Sequence, residues 1–306
     1  MKLSIVTTLY KSSPYIDEFY SRITAEAEKI TDDYEIIFVD DGSPDDSLLK
    51  AIDLHKIDTK IKVIELSRNF GHHKAIMTGL SHAKGEFIFL IDVDLEEEPE
   101  LLGKFWENLQ NSEDIDVVYG VQESRKGGWF ERWSGAIFYK IFNFLSDIEI
   151  PSNITTVRLT TQKYNKNLIK YKESELFAHG LFYHCGFNQK AITFSKVSTS
   201  TTTYTLRKKI VLLINSITSF SSKPLIYIFN IGFIITFISF LFILKIIFNK
   251  LFFDIAFEGW SSMIVSIWFF GGFIILLLGI IGIYLSKIFI ETKNRPFSII
   301  RNIHGD

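Results

Sequence analysis

Asp92 and Asp94 stand one residue apart at the end of a short apolar run, in GEFIFLIDVDLEEEPE, and that spacing lets two carboxylates share one hard cation. Mg²⁺ or Mn²⁺ held by so few protein carboxylates completes its shell with water and phosphate oxygens, so the implied ligand is a nucleotide diphosphate. A second acidic pair, Asp40 and Asp41, precedes Gly42 in FVDDGSPDD, where the carboxylates can accept hydrogen bonds from a base or a ribose and the glycine allows a turn. In LSRNFGHHKAIMTGL, Arg68 and Asn69 come just before Gly71, which opens a helix. A guanidinium and a helix amino terminus both favour phosphate. His72 and His73 point in different directions from one helix, which predicts a phosphate-side or surface role instead of a shared metal. Each motif alone is compatible with a solvated turn; together they describe a nucleotide-sugar pocket.

Strand-like segments must position these groups. Apolar runs at residues 3–9, 34–39, 61–66, 87–91 and 116–119 alternate with helical patterns at 14–30, 45–55, 72–83 and 99–110. Such alternation predicts an α/β domain, a mostly parallel sheet with helices on both faces. The three motifs then follow strands two, three and four at the carboxyl edge, where open sheets of this kind bind ligands. Ser13 and Ser43, each followed by proline, are expected to be helix N-caps with Pro at the first helical position. No long-period repeat or low-complexity linker interrupts residues 1–222, which read as one cytosolic domain.

The chain has 306 residues and a formal charge of −2, so bulk electrostatics give no reason to expect nucleic acid as a partner. With Cys185 as the single cysteine, an intramolecular disulfide and a cysteine-built zinc site are excluded. The apolar start soon meets Lys11 and acidic residues, which suits a first strand better than a signal-peptide core.

Composition changes at Pro224. Residues 225–248 and 260–285 are almost wholly apolar. A helix over the first stretch spans about 36 Å, more than the ~30 Å hydrocarbon core of a bilayer, so residues 223–290 are expected to form two transmembrane helices. Arg207, Lys208, Lys209 and Lys223 precede the first, and Lys287, Lys293, Arg295 and Arg301 follow the second. Cationic outer flanks place both ends in the cytoplasm, leaving 291–306 as a cytosolic tail. Residues 129–145 and 206–220 mix bulky apolar side chains with Arg and Lys, a composition suited to interfacial helices.

In their order along the chain, VDDGSPDDS, LSRNFGHHKAIMTGL, GEFIFLIDVDLEEEPELL, DVVYG and the closing apolar segment followed by RP resemble the inverting family 2 glycosyltransferases that act on polyprenyl phosphates. Relatives of that kind include dolichyl-phosphate mannose synthase and the bactoprenol glucosyltransferases. The resemblance implies a GT-A fold, a nucleotide-diphosphate sugar donor expected to be UDP-linked, Mg²⁺ or Mn²⁺, and an undecaprenyl-phosphate acceptor. It further implies an integral protein of the bacterial inner membrane that serves surface polysaccharide or O-antigen modification, with homo-oligomers assembled through the membrane helices. Carried over by position, it puts Thr8 and Tyr10 near the nucleoside and Asp40 and Asp41 on base and ribose. Arg68 falls on the nucleotide-sugar side, Asp92 faces the donor, Asp94 binds the metal with it, and Arg125 and Arg132 gather the acceptor phosphate. Four positions depart from the pattern, all in the acceptor half: Gln122 and His179 replace arginines, Thr156 an aspartate and Thr203 a lysine. Two alternatives stay open, extension of a lipid-linked oligosaccharide at a sugar hydroxyl and a catalytically decayed nucleotide-binding scaffold.

Overall fold

The computed structural model describes residues 1–112, 114–123, 140–145, 151, 153–173, 176–195, 214, 217–218, 221–253 and 259–305. In chain order the elements are β1 (Leu3–Leu9), α1 (Ile16–Glu28), β2 (Tyr34–Asp40), α2 (Ser47–Ile57), β3 (Ile61–Leu66), α3 (His72–His82), β4 (Phe87–Leu90) and α4 (Leu101–Gln110). There follow β5 (Val117–Gln122), β6 (Ile154–Thr161), α5 (Gln162–Leu168), α6 (Ala178–His184), β7 (Gln189–Phe194), α7 (Lys223–Phe253), α8 (Trp260–Thr292) and β8 (Ile300–His304).

The strands form one 8-stranded sheet in the order β7-β5-β6-β4-β1-β2-β3-β8. β4, β1, β2 and β3 are parallel neighbours, as the alternation of elements predicts. β6 runs antiparallel between β4 and β5, and β8 antiparallel to β3. Every residue of β1 and β2 is buried because helices cover both faces, which is why these strands read as unbroken apolar runs. Ile5 faces a core built with Ile16, Phe19 and Ile23 of α1 and Phe105 of α4. Its neighbour Val6 faces the other core, with Ile76 and Leu80 of α3 and Phe182 of α6.

The expected caps are not formed. α1 begins after Tyr15 and α2 after Asp46, and neither residue makes a side-chain cap. The Ser-rich segments are spent on joining the loops that follow β1 and β2: the Ser12 N–H donates to Ser47 Oγ (2.9 Å) and the Ser13 N–H to Asp45 Oδ2 (3.2 Å). Pro14 lies in a turn closed by the Tyr15 N–H on the Ser12 carbonyl (2.9 Å), a role for which its fixed φ is equally suited.

α7 and α8 are 31 and 33 residues long. Among the described residues one segment, Ser266–Thr292, is long and apolar enough to cross a membrane, with mean hydropathy 2.5, and Lys223–Ile235 is a shorter apolar stretch. The Tyr284 hydroxyl donates to the Ser221 carbonyl (2.9 Å), and the rings of Phe144 and Tyr227 stack at 5.8 Å. Beyond α8 the chain returns to the sheet. The Ser67 N–H donates to the Ile299 carbonyl (2.9 Å), β8 pairs with β3, and Arg301 and Asn302 both bind the Glu65 carboxylate, at 3.0 and 2.8 Å. The residues read from sequence as a tail thus include an edge strand.

Candidate active site

β1 pairs with β2 on one side and β4 on the other, so the chain order reverses at β1. In open α/β sheets the ligand crevice lies at that switch point, outside the carboxyl ends of the strands. Thr8 and Tyr10 leave β1 there, and Asp92 and Asp94 leave β4. His72, the first residue of α3, joins the two strand ends: its Nδ1 is 3.1 Å from Thr8 Oγ1 and its Nε2 is 3.5 Å from Asp92 Oδ1. Asp94 Oδ1 accepts the Glu96 N–H (3.0 Å). Leu95 follows with φ 59°, and Lys11 at the end of β1 has φ 57°. Left-handed backbone at such residues costs on the order of 1–3 kcal/mol and persists where the surroundings impose it, here on both sides of the crevice.

The acidic pair at the end of β2 is buried, each residue 2% exposed. Asp40 accepts the Gly42 N–H (3.1 Å) and the Ser43 N–H (3.3 Å), whereas Asp41 accepts the N–H groups of Phe70 and Gly71 at 2.7 and 3.0 Å. Burial pushes both carboxyls above their ordinary value, against the pull of those hydrogen bonds. Gly42 has φ 65°, and a Cβ there would stand 2.6 Å from the Asn69 amide nitrogen. The loops after β2 and β3 therefore pack backbone to backbone, tied by Asp41. Arg68 is exposed beside them, its guanidinium 4.1 Å over the Phe70 ring and donating to the Asn69 carbonyl (3.0 Å). Tyr10 is 48% exposed, with the Lys11 Nζ 5.7 Å from its ring centroid.

Below the crevice, on the face covered by α3 and α6, lie cationic and imidazole groups. His73 Nδ1 meets the Leu176 carbonyl (3.1 Å), and the His73 and His179 rings stand edge to face at 5.9 Å. Burial lowers the pKa of His73, and burial together with the His73 and Arg158 charges holds His179 well below the usual imidazole range. Arg158 on β6 is fully buried. It donates to the Thr156 and Thr155 carbonyls (3.1 and 3.2 Å) and lies 3.3 Å over the Phe182 ring. Burial pushes its pKa down to about 10, so it stays protonated near neutrality.

The crevice thus gathers Thr8, Tyr10, Asp92 and Asp94, with Arg68 and the Asp40/Asp41 loops on its flank. Gln122 lies at the end of β5, its N–H on the Asn153 carbonyl (3.0 Å), while Thr156 is buried on β6 and His179 is half-buried in α6. Arg125, Arg132 and Thr203 lie outside the described residues, as do most of the two stretches read as interfacial. Sequence reasoning missed the bridge made by His72, because it depends on contacts between three elements. It also passed over Arg158, although an arginine inside the apolar strand TTVRLTT is the signal of a charge that burial must satisfy.

A mostly parallel sheet with helices on both faces and an acidic doublet at its switch point is a GT-A-like fold. The chain belongs to the glycosyl transferase family 2, whose model matches residues 4–169, and it is a glycosyltransferase. A Mycobacterium tuberculosis protein that carries a glycosyltransferase name is 50% identical over 100% of this chain and 89% of its own length. The SfII prophage-derived bactoprenol glucosyl transferase of Shigella flexneri is 30% identical over 99% of each chain. Among solved structures, glucosyl-3-phosphoglycerate synthase from Mycobacterium tuberculosis, in complex with Mn²⁺, UDP-glucose and phosphoglyceric acid, superposes with a TM-score of 0.51 at 15% identity. It covers 71% of this chain and 79% of that one, a likeness of fold.

Proposed function

We propose that this glycosyltransferase moves a sugar from a nucleotide-diphosphate donor, UDP-linked in the first instance, to a polyprenyl phosphate on the cytosolic leaflet of the bacterial inner membrane. The observation that carries the donor half is the position of Asp92 and Asp94 at the carboxyl end of β4, beside the end of β1. The acceptor half is supported by the full-length similarity to the bactoprenol glucosyl transferase and by a long helix whose apolar side chains, Trp268 at 79% and Ile275 at 72% exposure among them, are uncovered. The return of β8 to the sheet supports a membrane hairpin, since a chain that leaves and rejoins one domain crosses a bilayer an even number of times.

Two half-buried carboxylates at the crevice, both hard oxygen donors, suit Mg²⁺ or Mn²⁺, and Asp92 and Asp94 would hold it. Such an ion, when bound, neutralises charge on the departing diphosphate. Tyr10, Arg68 and the loops bearing Asp40 and Asp41 flank the nucleotide side. The nucleophile is a phosphate monoester oxygen, which forms the new bond to the anomeric carbon as the nucleoside diphosphate leaves with the electron pair of the old one. That oxygen is anionic near pH 7, so no general base is needed, and Thr156 is compatible with the reaction.

Radiolabelled nucleotide sugars supplied with undecaprenyl phosphate and Mg²⁺ or Mn²⁺ in detergent test the reading. Label is expected in the bare lipid phosphate. Asp94→Asn is expected to lower transfer by roughly 100-fold or more, the scale of losing one preorganised electrostatic partner. Label entering only a saccharide-bearing lipid would replace this reading with oligosaccharide extension, and nucleotide binding without transfer to any lipid would replace it with a decayed scaffold.

A further inference from the structure

We infer that His72 is a positioning residue for the acidic doublet, fixing the orientation of Asp92 so that a metal-bound nucleoside diphosphate meets a preset carboxylate; this rests on the reading of the crevice as a donor site. Three elements converge on the imidazole. It starts α3, its Nδ1 lies 3.1 Å from Thr8 Oγ1 at the end of β1, and its Nε2 lies 3.5 Å from Asp92 Oδ1 beyond the end of β4.

The carboxylate decides the proton arrangement. A bare Nε2 lone pair facing an anionic oxygen is repulsive, so Nε2 carries a hydrogen toward Asp92, in the neutral tautomer or the imidazolium alike. In the neutral form Nδ1 is then an acceptor, and the Thr8 hydroxyl is placed to donate to it, which fixes the ring plane as outer partners fix metal-ligating side chains. The 3.5 Å contact is an ion-pair distance, at the outer limit of a hydrogen bond.

The ring's surroundings leave it few alternatives. His73 lies beside it with ring centroids 5.8 Å apart, and its own Nδ1 is on the Leu176 carbonyl. Asp41, the nearby carboxylate on the β2 side, is occupied by the N–H groups of Phe70 and Gly71. α3 itself cannot drift, because Gly79 brings it so close to the sheet that a Cβ there would meet Val6 Cγ1 at 2.5 Å and Val39 Cγ2 at 2.9 Å. The imidazole that faces Asp92 is therefore held at the start of a helix packed closely on β1 and β2.

Full-length protein in detergent, titrated with UDP and in parallel with GDP, in Mn²⁺ and then in EDTA, separates positioning from general structure. The quantity read is the factor by which Mn²⁺ tightens nucleotide binding. His72→Phe is expected to lower that factor about tenfold, equivalent to about 1.4 kcal/mol, with binding in EDTA unchanged. His72→Gln, whose amide N–H₂ can still reach Asp92, is expected to stay within about threefold of the parent, and Thr8→Val to fall between the two. An unchanged factor in His72→Phe overturns the inference. So does equal loss in the Phe and Gln variants, or loss of the metal-free binding as well. A parent protein that binds neither nucleotide with Mn²⁺ overturns the donor-site reading and this inference together, an outcome distinct from the others.

Discussion

At the scale of single residues, the site depends on side chains that anchor loops as much as on those that would touch a ligand. Asp41 binds two backbone N–H groups of the β3–α3 loop, and Gly42 lets the facing loop approach it. Gly42→Ala adds a methyl group 2.6 Å from a backbone nitrogen at a left-handed φ, and is expected to cost about 2 kcal/mol or more and to weaken nucleotide binding; urea unfolding and UDP titration measure both. His179 gives a pH signature. Its imidazole is held well below the ordinary value when folded, whereas the unfolded chain takes up the proton near pH 6.5. Below that pH the unfolded state binds more protons, so acidification reduces stability. Glu173, pushed up to about 7 chiefly by burial and then by Glu291, acts oppositely, since the folded state takes its proton first. The contribution of His179 is therefore read as a difference: His179→Gln is expected to flatten the loss of stability below about pH 6 by up to about 1.4 kcal/mol per pH unit relative to the parent. Parallel thermal melts between pH 7.5 and 5 would reveal a parent and variant that track each other, if the group titrates normally.

Among the elements, α3 and β8 decide most. α3 rests on β1 and β2 through Gly79 and carries His72 at its start, so Gly79→Ala is expected to cost about 1–3 kcal/mol by overpacking and also to reduce the Mn²⁺-dependent gain in UDP affinity. A loss of stability with an unaltered gain would separate the helix position from the site. β8 covers the edge of β3, and its Arg301 and Asn302 satisfy Glu65, which is otherwise buried. Removing residues 298–306 is expected to lower the melting temperature and to raise aggregation, because a bare edge strand pairs with other chains. Light scattering and thermal unfolding of the truncated chain check this.

For the molecule as a whole, strand pairing constrains membrane topology. Residues before α7 and after α8 build one sheet and must lie on one side of any bilayer. With Cys185→Ala as background, Ile303→Cys is expected to react with a membrane-impermeant maleimide from the cytoplasmic side of oriented vesicles, and Gly259→Cys, between the two helices, from the opposite side. Both sites labelling from one side would mean that the helix pair lies on the bilayer instead of crossing it. This experiment needs no enzymatic activity, so it stands apart from the identity of the sugar and acceptor.

The sequence alone determined the parallel βαβ order and the placing of Asp92 and Asp94 at a strand end, because burial on both sheet faces is written in local composition. The apolar runs at residues 3–9 and 61–66 predict strands with the bounds they have in the fold. Tertiary structure alone decided the caps, since Ser12, Ser13 and Ser47 spend their hydrogen bonds between loops, and the return of β8, whose five residues carry no pattern stronger than a tail. It alone also joined His72 to Thr8 and Asp92, groups 64 and 20 residues away along the chain, because contacts from a helix start to two strand ends depend on sheet order, which no local pattern encodes.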